Sequence, residues 1–125
     1  GEAQRVRQEA KERMKRAVEK FKKELKEFNT EVEKKEPRQQ RIQKWEQIVE
    51  ERAKKAEDEV KKVGKEANDR AAKLGQDPQV NWFDISQILW DVQKLTQEAI
   101  EEIRKALEQM RRWLQRGLEH HHHHH

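Results

Sequence analysis

Val80-Asn81-Trp82-Phe83-Asp84-Ile85-Ser86-Gln87-Ile88-Leu89-Trp90-Asp91-Val92 reads as the capped start of an amphipathic helix, and the side it turns inward dictates how the chain packs. Asn81 is a strong N-cap, Asp84 stands three residues on where it can bond back, and Val80 faces Ile85 as a hydrophobic staple. A helix turns about 100° per residue, so positions can be laid on a wheel with Val92 at zero. Ile85, Ile88, Leu95, Ala99, Ile103, Ala106 and Met110 then all fall within about 60° of Val92, a continuous stripe facing a core. The pattern predicts a helix over about 82–116, ending near Gly117 with Trp113 and Leu114 closing the stripe.

The same wheel shows a second apolar face. Trp90 and Phe83 land at about 160° and 180° from the core direction, Ser86 at about 120°, and Trp82 and Leu89 on the shoulder at about 80° and 60°. Two of the four tryptophans and one of the three phenylalanines thus crowd into nine residues, with Asp84 the one charge among them. Gln87, Gln93 and Gln97 border them with polar, uncharged side chains. Single exposed apolar residues need no explanation, but a contiguous patch marks an interaction site, and large aromatics on one rigid face are the composition of a binding hot spot.

Working outward from that helix, two more of the same length precede it. Ala3, Val6, Ala10, Met14, Ala17, Phe21, Leu25, Phe28 and Val32 recur at steps of three and four in an eleven-residue pattern, which predicts a nearly straight helix over about 2–35. Thr30 and Glu33 imitate a capping box, but Pro37 would interrupt any helix begun there. The break belongs at Glu36, with Pro37 as the first residue of a second helix. A joint that short, without glycine, is expected to be strained or mobile. The second helix, over about 37–74, carries Ile42, Trp45, Val49, Ala53, Ala56, Val60, Val63, Ala67, Ala71 and Leu74; Trp45 lies on this stripe and reads as core. Gly64 inside it costs about 1 kcal/mol relative to alanine with no local purpose in the sequence. Gly75 is placed to supply a left-handed cap, and Pro78 prevents resumption. Short connections between three long helices predict an all-α, antiparallel, up-down-up three-helix bundle over residues 1–117.

Composition narrows the function classes. The 125 residues hold 29 Lys and Arg against 25 Asp and Glu, a formal charge of +4. The basic excess is interleaved with acids along the helices, which is a solvated surface rather than a nucleic-acid face. There is no cysteine, so thiolate and disulfide chemistry are excluded. Residues 118–125 are Leu-Glu followed by six histidines, an expression tag, and outside it the chain has no histidine. No imidazole base and no zinc site follow. Ser86 is the only serine and has no base beside it. No catalytic residues, metal ligands or cofactor are expected, and the chain reads as non-enzymatic. No apolar run is long enough to cross a membrane, and no targeting signal is expected.

Asn81-Trp82-Phe83-Asp84-Ile85-Ser86 with Leu89-Trp90 closely resembles the membrane-proximal external region of the HIV envelope transmembrane subunit. The pattern Trp-Phe-x-Ile-(Thr or Ser)-x-x-Leu-Trp, the helical epitope of the broadly neutralising antibody 4E10, is met at every fixed position by Trp82, Phe83, Ile85, Ser86, Leu89 and Trp90. The viral segment has Asn and Trp where this chain has Gln87 and Ile88. Position 88 is on the core stripe, so the change replaces an inward aromatic by a packable aliphatic. The rest of the chain is similar to ribosome recycling factor. Glu12-Arg13-Met14-Lys15-Arg16-Ala17-Val18-Glu19-Lys20-Phe21 resembles that family's first helix; Ile48-Val49, Glu66-Ala67-Asn68-Asp69 and Asp91-Val92-Gln93-Lys94-Leu95-Thr96 resemble its second and third. The family's β-rich second domain is replaced here by a few residues around Lys34-Lys35-Glu36-Pro37.

Together these resemblances imply an engineered antigen: a recycling-factor bundle whose third helix presents a viral epitope to a Fab of the 4E10 type. They imply antibody contacts from Trp82, Phe83, Ile85, Ser86, Leu89 and Trp90, with Asn81, Asp84, Gln87 and Gln93 at the periphery. A soluble monomer is expected, recombinantly expressed in the cytoplasm of a bacterial host, with no nucleic-acid partner and no obligate membrane. Recycling itself is not expected to survive: positions that carry arginine in the family hold Glu50, Glu57, Lys61, Gly64 and Lys65. The competing readings are a membrane-surface protein whose tryptophans dip into headgroups, and a generic helix-in-groove binder.

Overall fold

Apolar residues spaced three and four apart, separated by Glu, Lys, Arg and Gln of good helix propensity, leave the chain one way to bury its stripes. The computed structural model describes the backbone of residues 1–34 and 39–123 and the side chains of residues 1–31 and 43–116. Three helices account for it: α1 (Glu2–Lys34), α2 (Gln39–Leu74) and α3 (Trp82–His123). Among the described residues there is no strand. Each helix packs on both of the others, so the fold is the all-α three-helix bundle that the periodicity predicts.

The core is the three stripes brought together. Val6, Ala10, Met14, Phe21 and Leu25 of α1, Val49, Ala53, Val60, Val63, Ala67 and Ala71 of α2, and Ile85, Ile88, Val92, Ala99, Ile103, Met110 and Leu114 of α3 are buried. Val18 joins them although the sequence pattern ran through its neighbour Ala17, which is half-buried. Trp45 packs edge-on against Phe28 with ring centroids 5.3 Å apart, a core role at the far end from the aromatic face. Val32 and Ile42 lie outside the residues whose side chains are described.

Ion pairs at the seams record the direction of each helix. Glu9 pairs with Arg70, Arg13 with Glu66 and Glu24 with Arg52, so α1 and α2 run antiparallel. Glu57 pairs with Arg104 and Glu50 with Arg111, so α2 and α3 do too. Arg7 with Asp91 and Lys22 with Glu102 make α1 and α3 parallel. The topology is up-down-up.

Both interior glycines differ from their sequence reading. Gly64 is buried in the α2–α3 seam, where a Cβ would stand 2.7 Å from the Thr96 Oγ1. Its purpose is therefore close approach of α3, a tertiary reason that no local pattern carries. Gly75 does not adopt the left-handed cap expected of it, since no described glycine has positive φ. Instead its N–H continues the helical bonding to Ala71 O at 3.0 Å, and the next amides tighten to three-residue spacing, Gln76 to Lys73 O and Asp77 to Leu74 O. Nor does α3 stop near Gly117; helical backbone continues to His123. A glycine that does not turn left-handed weakens a helix by about 1 kcal/mol without ending it. At the other boundary, the Thr30 hydroxyl donates to Lys26 O at 3.1 Å, a back-bond within α1 and not a cap. The Glu36–Pro37 joint lies outside the described residues.

Candidate partner-binding face

The aromatic face sits on the first turns of α3, and the turn before it explains why the helix starts there. Asp77 Oδ1 accepts the Gln79 N–H at 3.0 Å, and Val80 N–H bonds back to Asp77 O, closing the chain reversal. Asn81 then caps α3 as expected, its Oδ1 accepting the Phe83 N–H at 2.9 Å. Among the described residues the Asp84 carboxylate accepts no return bond from the Asn81 N–H, although the Asp84 N–H donates to Asn81 O at 3.1 Å, so the side-chain cap is one-sided rather than the reciprocal box the sequence suggested. Val80 packs against the core beside it.

From this start the wheel geometry follows. Trp82 is 63% exposed, Phe83 73% and Trp90 59%, the large hydrophobics that the core leaves outside. Ser86 and Gln87 are exposed between them, and Asn81, Asp84 and Gln93 are exposed around them. Leu89 is half-buried, one flank on the core. Ile85, which lies on the core stripe as well as in the epitope-like motif, is 0% exposed, its side chain enclosed by the bundle beneath the face.

Three residues outside the sequence pattern shape the face. Lys94 places its Nζ 5.4 Å from the Trp90 ring centroid, a cation over a π-face one helical turn on. Asp91 accepts from Gln87 Nε2 at 3.2 Å and from Arg7 Nε at 3.0 Å, tying one edge of the face to α1. Gly75 lies under the other edge, where a Cβ would stand 3.0 Å from Trp82 Cζ3. The spacing of Trp90 and Lys94 makes the first of these legible in the sequence. The i,i+4 spacing of Gln87 and Asp91 is equally legible, whereas the tie of Asp91 to Arg7 and the approach of Gly75 to Trp82 depend on other parts of the fold and are not.

The side chains of this face are indole, phenyl, hydroxyl and amide, none of them a base or nucleophile poised by a neighbour. Among the described residues no group of three His, Cys, Asp or Glu could hold a metal ion. A cleft of about 480 Å³ between α1 and α2, remote from the aromatic face, is lined by Arg13, Arg16, Lys20, Arg52 and Lys55 with Glu24 and Glu59 over Phe21 and alanines. It offers charge without a nucleophile or an imidazole. Within the seams, the hydrogen bond from Arg13 holds the Glu66 carboxyl below its ordinary range, and Arg70 does the same for Glu9. Those pairs hold helices in register rather than activating anything. Among the described residues no helix is long and apolar enough to cross a membrane.

Comparison with known proteins adds fold-level information. No family model matches the chain. No curated protein matches it either. Among solved structures, a chain from the crystal structure of EED in complex with EB22 superimposes with a TM-score of 0.73 and 29% identity, covering 90% of this chain and 97% of that one. The similar chain is thus matched over nearly its whole length, so the likeness extends to the complete bundle.

Proposed function

We propose that the chain is a non-catalytic engineered antigen that presents a helical epitope, resembling the HIV membrane-proximal envelope segment, to an antibody of the 4E10 type. The observation that carries this reading is the outward set of Trp82, Phe83 and Trp90, 59–73% exposed on the first turns of a capped helix. A soluble bundle gains nothing in stability from leaving three such rings in water, whereas a partner groove gains most of its affinity from them. Trp82, Phe83 and Trp90 are the anchors; Ser86 keeps the space between them open for close approach, and Leu89 contributes its free flank. The bundle supplies what a free peptide lacks, a helix already ordered, so binding does not bear that ordering cost.

The bundle itself we read as the three-helix domain of a ribosome recycling factor without its second domain, expressed as a soluble recombinant protein. Recycling is not retained in this reading. Glu50 and Glu57, which stand where that family carries arginine, are committed to ion pairs with Arg111 and Arg104 of α3 and offer no cation to RNA phosphate. The solved chain from the EED and EB22 complex supports the general idea that a bundle of this shape occurs within an assembly of two components.

The test is surface plasmon resonance of the purified protein against the 4E10 Fab, with Phe83→Ala, Trp90→Ala and their combination as controls. Each truncation is expected to weaken binding by about 2 kcal/mol or more while leaving helicity unchanged. Helical single variants that bind as tightly as the parent would show the face assignment to be wrong. Absence of binding by the parent, together with flotation on liposomes, would move the reading to a membrane-surface protein.

A further inference from the structure

We infer that Gly75 is a positioning residue of the aromatic face: the space left by its missing side chain is where the Trp82 indole edge rests, so the glycine sets the direction in which Trp82 is offered to a partner. The inference rests on the binding reading above and concerns how that face is held before a partner arrives.

The geometry comes from three facts. A Cβ on Gly75 would stand 3.0 Å from Trp82 Cζ3, 3.4 Å from Ile85 Cγ2 and 3.4 Å from Ala72 O. The first distance is too short for an undisturbed carbon contact, and the other two are ordinary or nearly so. The backbone of Gly75 has no positive φ, so any L-residue can adopt it and the objection to a side chain is space alone. What must then give way is decided by burial. Ile85 is fully buried and fixed in the core, whereas Trp82 is 63% exposed and free to swing outward. A methyl at position 75 would therefore leave the core in place and push the Trp82 ring outward by at least a few tenths of an ångström, turning one anchor of the face off its seat. Redirection matters because Trp82 stands at the shoulder, 63% exposed, where its ring can rest against the chain at Gly75 or turn into solvent. Resting on Gly75 restricts that choice, and restriction before binding is preorganisation.

The variant is Gly75→Ala, compared with Trp82→Ala and the double variant on the parent chain. In the free protein, a nuclear Overhauser contact between the Gly75 α-protons and the Trp82 ring proton on Cζ3 is expected, and the Trp82 indole resonance is expected to move in Gly75→Ala with the melting temperature unchanged or higher. Against the 4E10 Fab, Gly75→Ala is expected to bind roughly tenfold more weakly than the parent, a smaller loss than Trp82 truncation, since the ring is misdirected rather than removed. In the Trp82→Ala background the same substitution is expected to change nothing. That last comparison separates positioning from a general structural role, which would weaken both backgrounds alike. Equal binding by parent and Gly75→Ala, or equal loss in both backgrounds, overturns the inference while leaving the antibody reading intact. A parent that does not bind the Fab overturns the antibody reading instead, and the positioning claim is then decided by the Overhauser contact and the indole shift: their absence ends it.

Discussion

At the scale of single residues, the first turns of α3 place opposite demands on neighbouring side chains. Ile85 is fully enclosed while Phe83, two positions earlier, is 73% exposed, although both belong to the motif that resembles the viral epitope. In the proposed reading, stability and binding are thereby divided between positions two residues apart. Ile85→Ala removes a side chain from a packed interior and leaves a cavity, with an expected loss of about 2–5 kcal/mol in urea unfolding. Phe83→Ala removes a ring from water and is expected to change stability by no more than about 0.5 kcal/mol, while abolishing tight partner binding. Equal stability losses in the two variants would mean that the helix is rotated from the orientation described. The cap has its own residue-scale consequence. Asn81 Oδ1 satisfies the Phe83 amide alone, unaided by Asp84, so Asn81→Ala should cost about 1 kcal/mol and loosen the very turn that carries Trp82 and Phe83.

At the scale of elements, the meeting of α2 with α3 is governed by its glycines. Gly64 is expensive in helix propensity, yet a Cβ there would sit 2.7 Å from Thr96 Oγ1, which is itself held by a 2.7 Å bond to Val92 O. Moving the Thr96 hydroxyl out of that space breaks its bond to Val92 O, so the clash is not relieved without loss. Gly64→Ala is therefore expected to destabilise the parent but to stabilise a Thr96→Ala background by about 1 kcal/mol, the helix-propensity gain once the clash is gone. A thermal-unfolding double-mutant cycle reads the reversal of sign directly; the same sign in both backgrounds would dismiss the close-approach account. The pair also marks where sequence reading stops. The stripes of α2 and α3, the outward direction of Trp82, Phe83 and Trp90, and the cap at Asn81 all follow from intervals within one helix, and each was legible. The role of Gly64 and the seat of Trp82 against Gly75 depend on what another part of the fold brings to that point. Periodicity along one strand of chain carries no such information. The continuation of α3 past Gly117 was missed for a different reason: a glycine permits a left-handed stop without enforcing one.

At the scale of the whole molecule, a bundle whose helices share nearly the same composition needs something beyond apolar burial to select one register. The seam pairs supply it, since Glu9 with Arg70, Arg13 with Glu66, Glu57 with Arg104 and Glu50 with Arg111 meet only in the observed alignment. Apart from Glu57, whose side chain is 19% exposed, these groups are substantially open to solvent, so the pairs stabilise little and their value is in disfavouring slipped arrangements that bring like charges together. Their ionisation nevertheless has a measurable signature. Arg13 holds the folded-state Glu66 below its ordinary value of 4.5, and Arg70 holds Glu9 below it likewise. In the unfolded chain those partners are gone, so as pH falls the unfolded state takes up protons first. The contribution is therefore complete above about pH 4.5 and is lost as pH drops through the lower folded values. Glu66→Gln cannot take part in that exchange. It is expected to be less stable than the parent at neutral pH, and the gap between the two urea midpoints should close as pH is lowered below about 4.5. Repulsion among the many lysines and arginines will lower both curves in acid, which is why the difference between variants is the informative quantity. A gap that stayed constant from neutral to strongly acidic pH would show that Glu66 acts through packing or polarity alone, and the register would then have to be attributed to the fit of Gly64 and the core side chains.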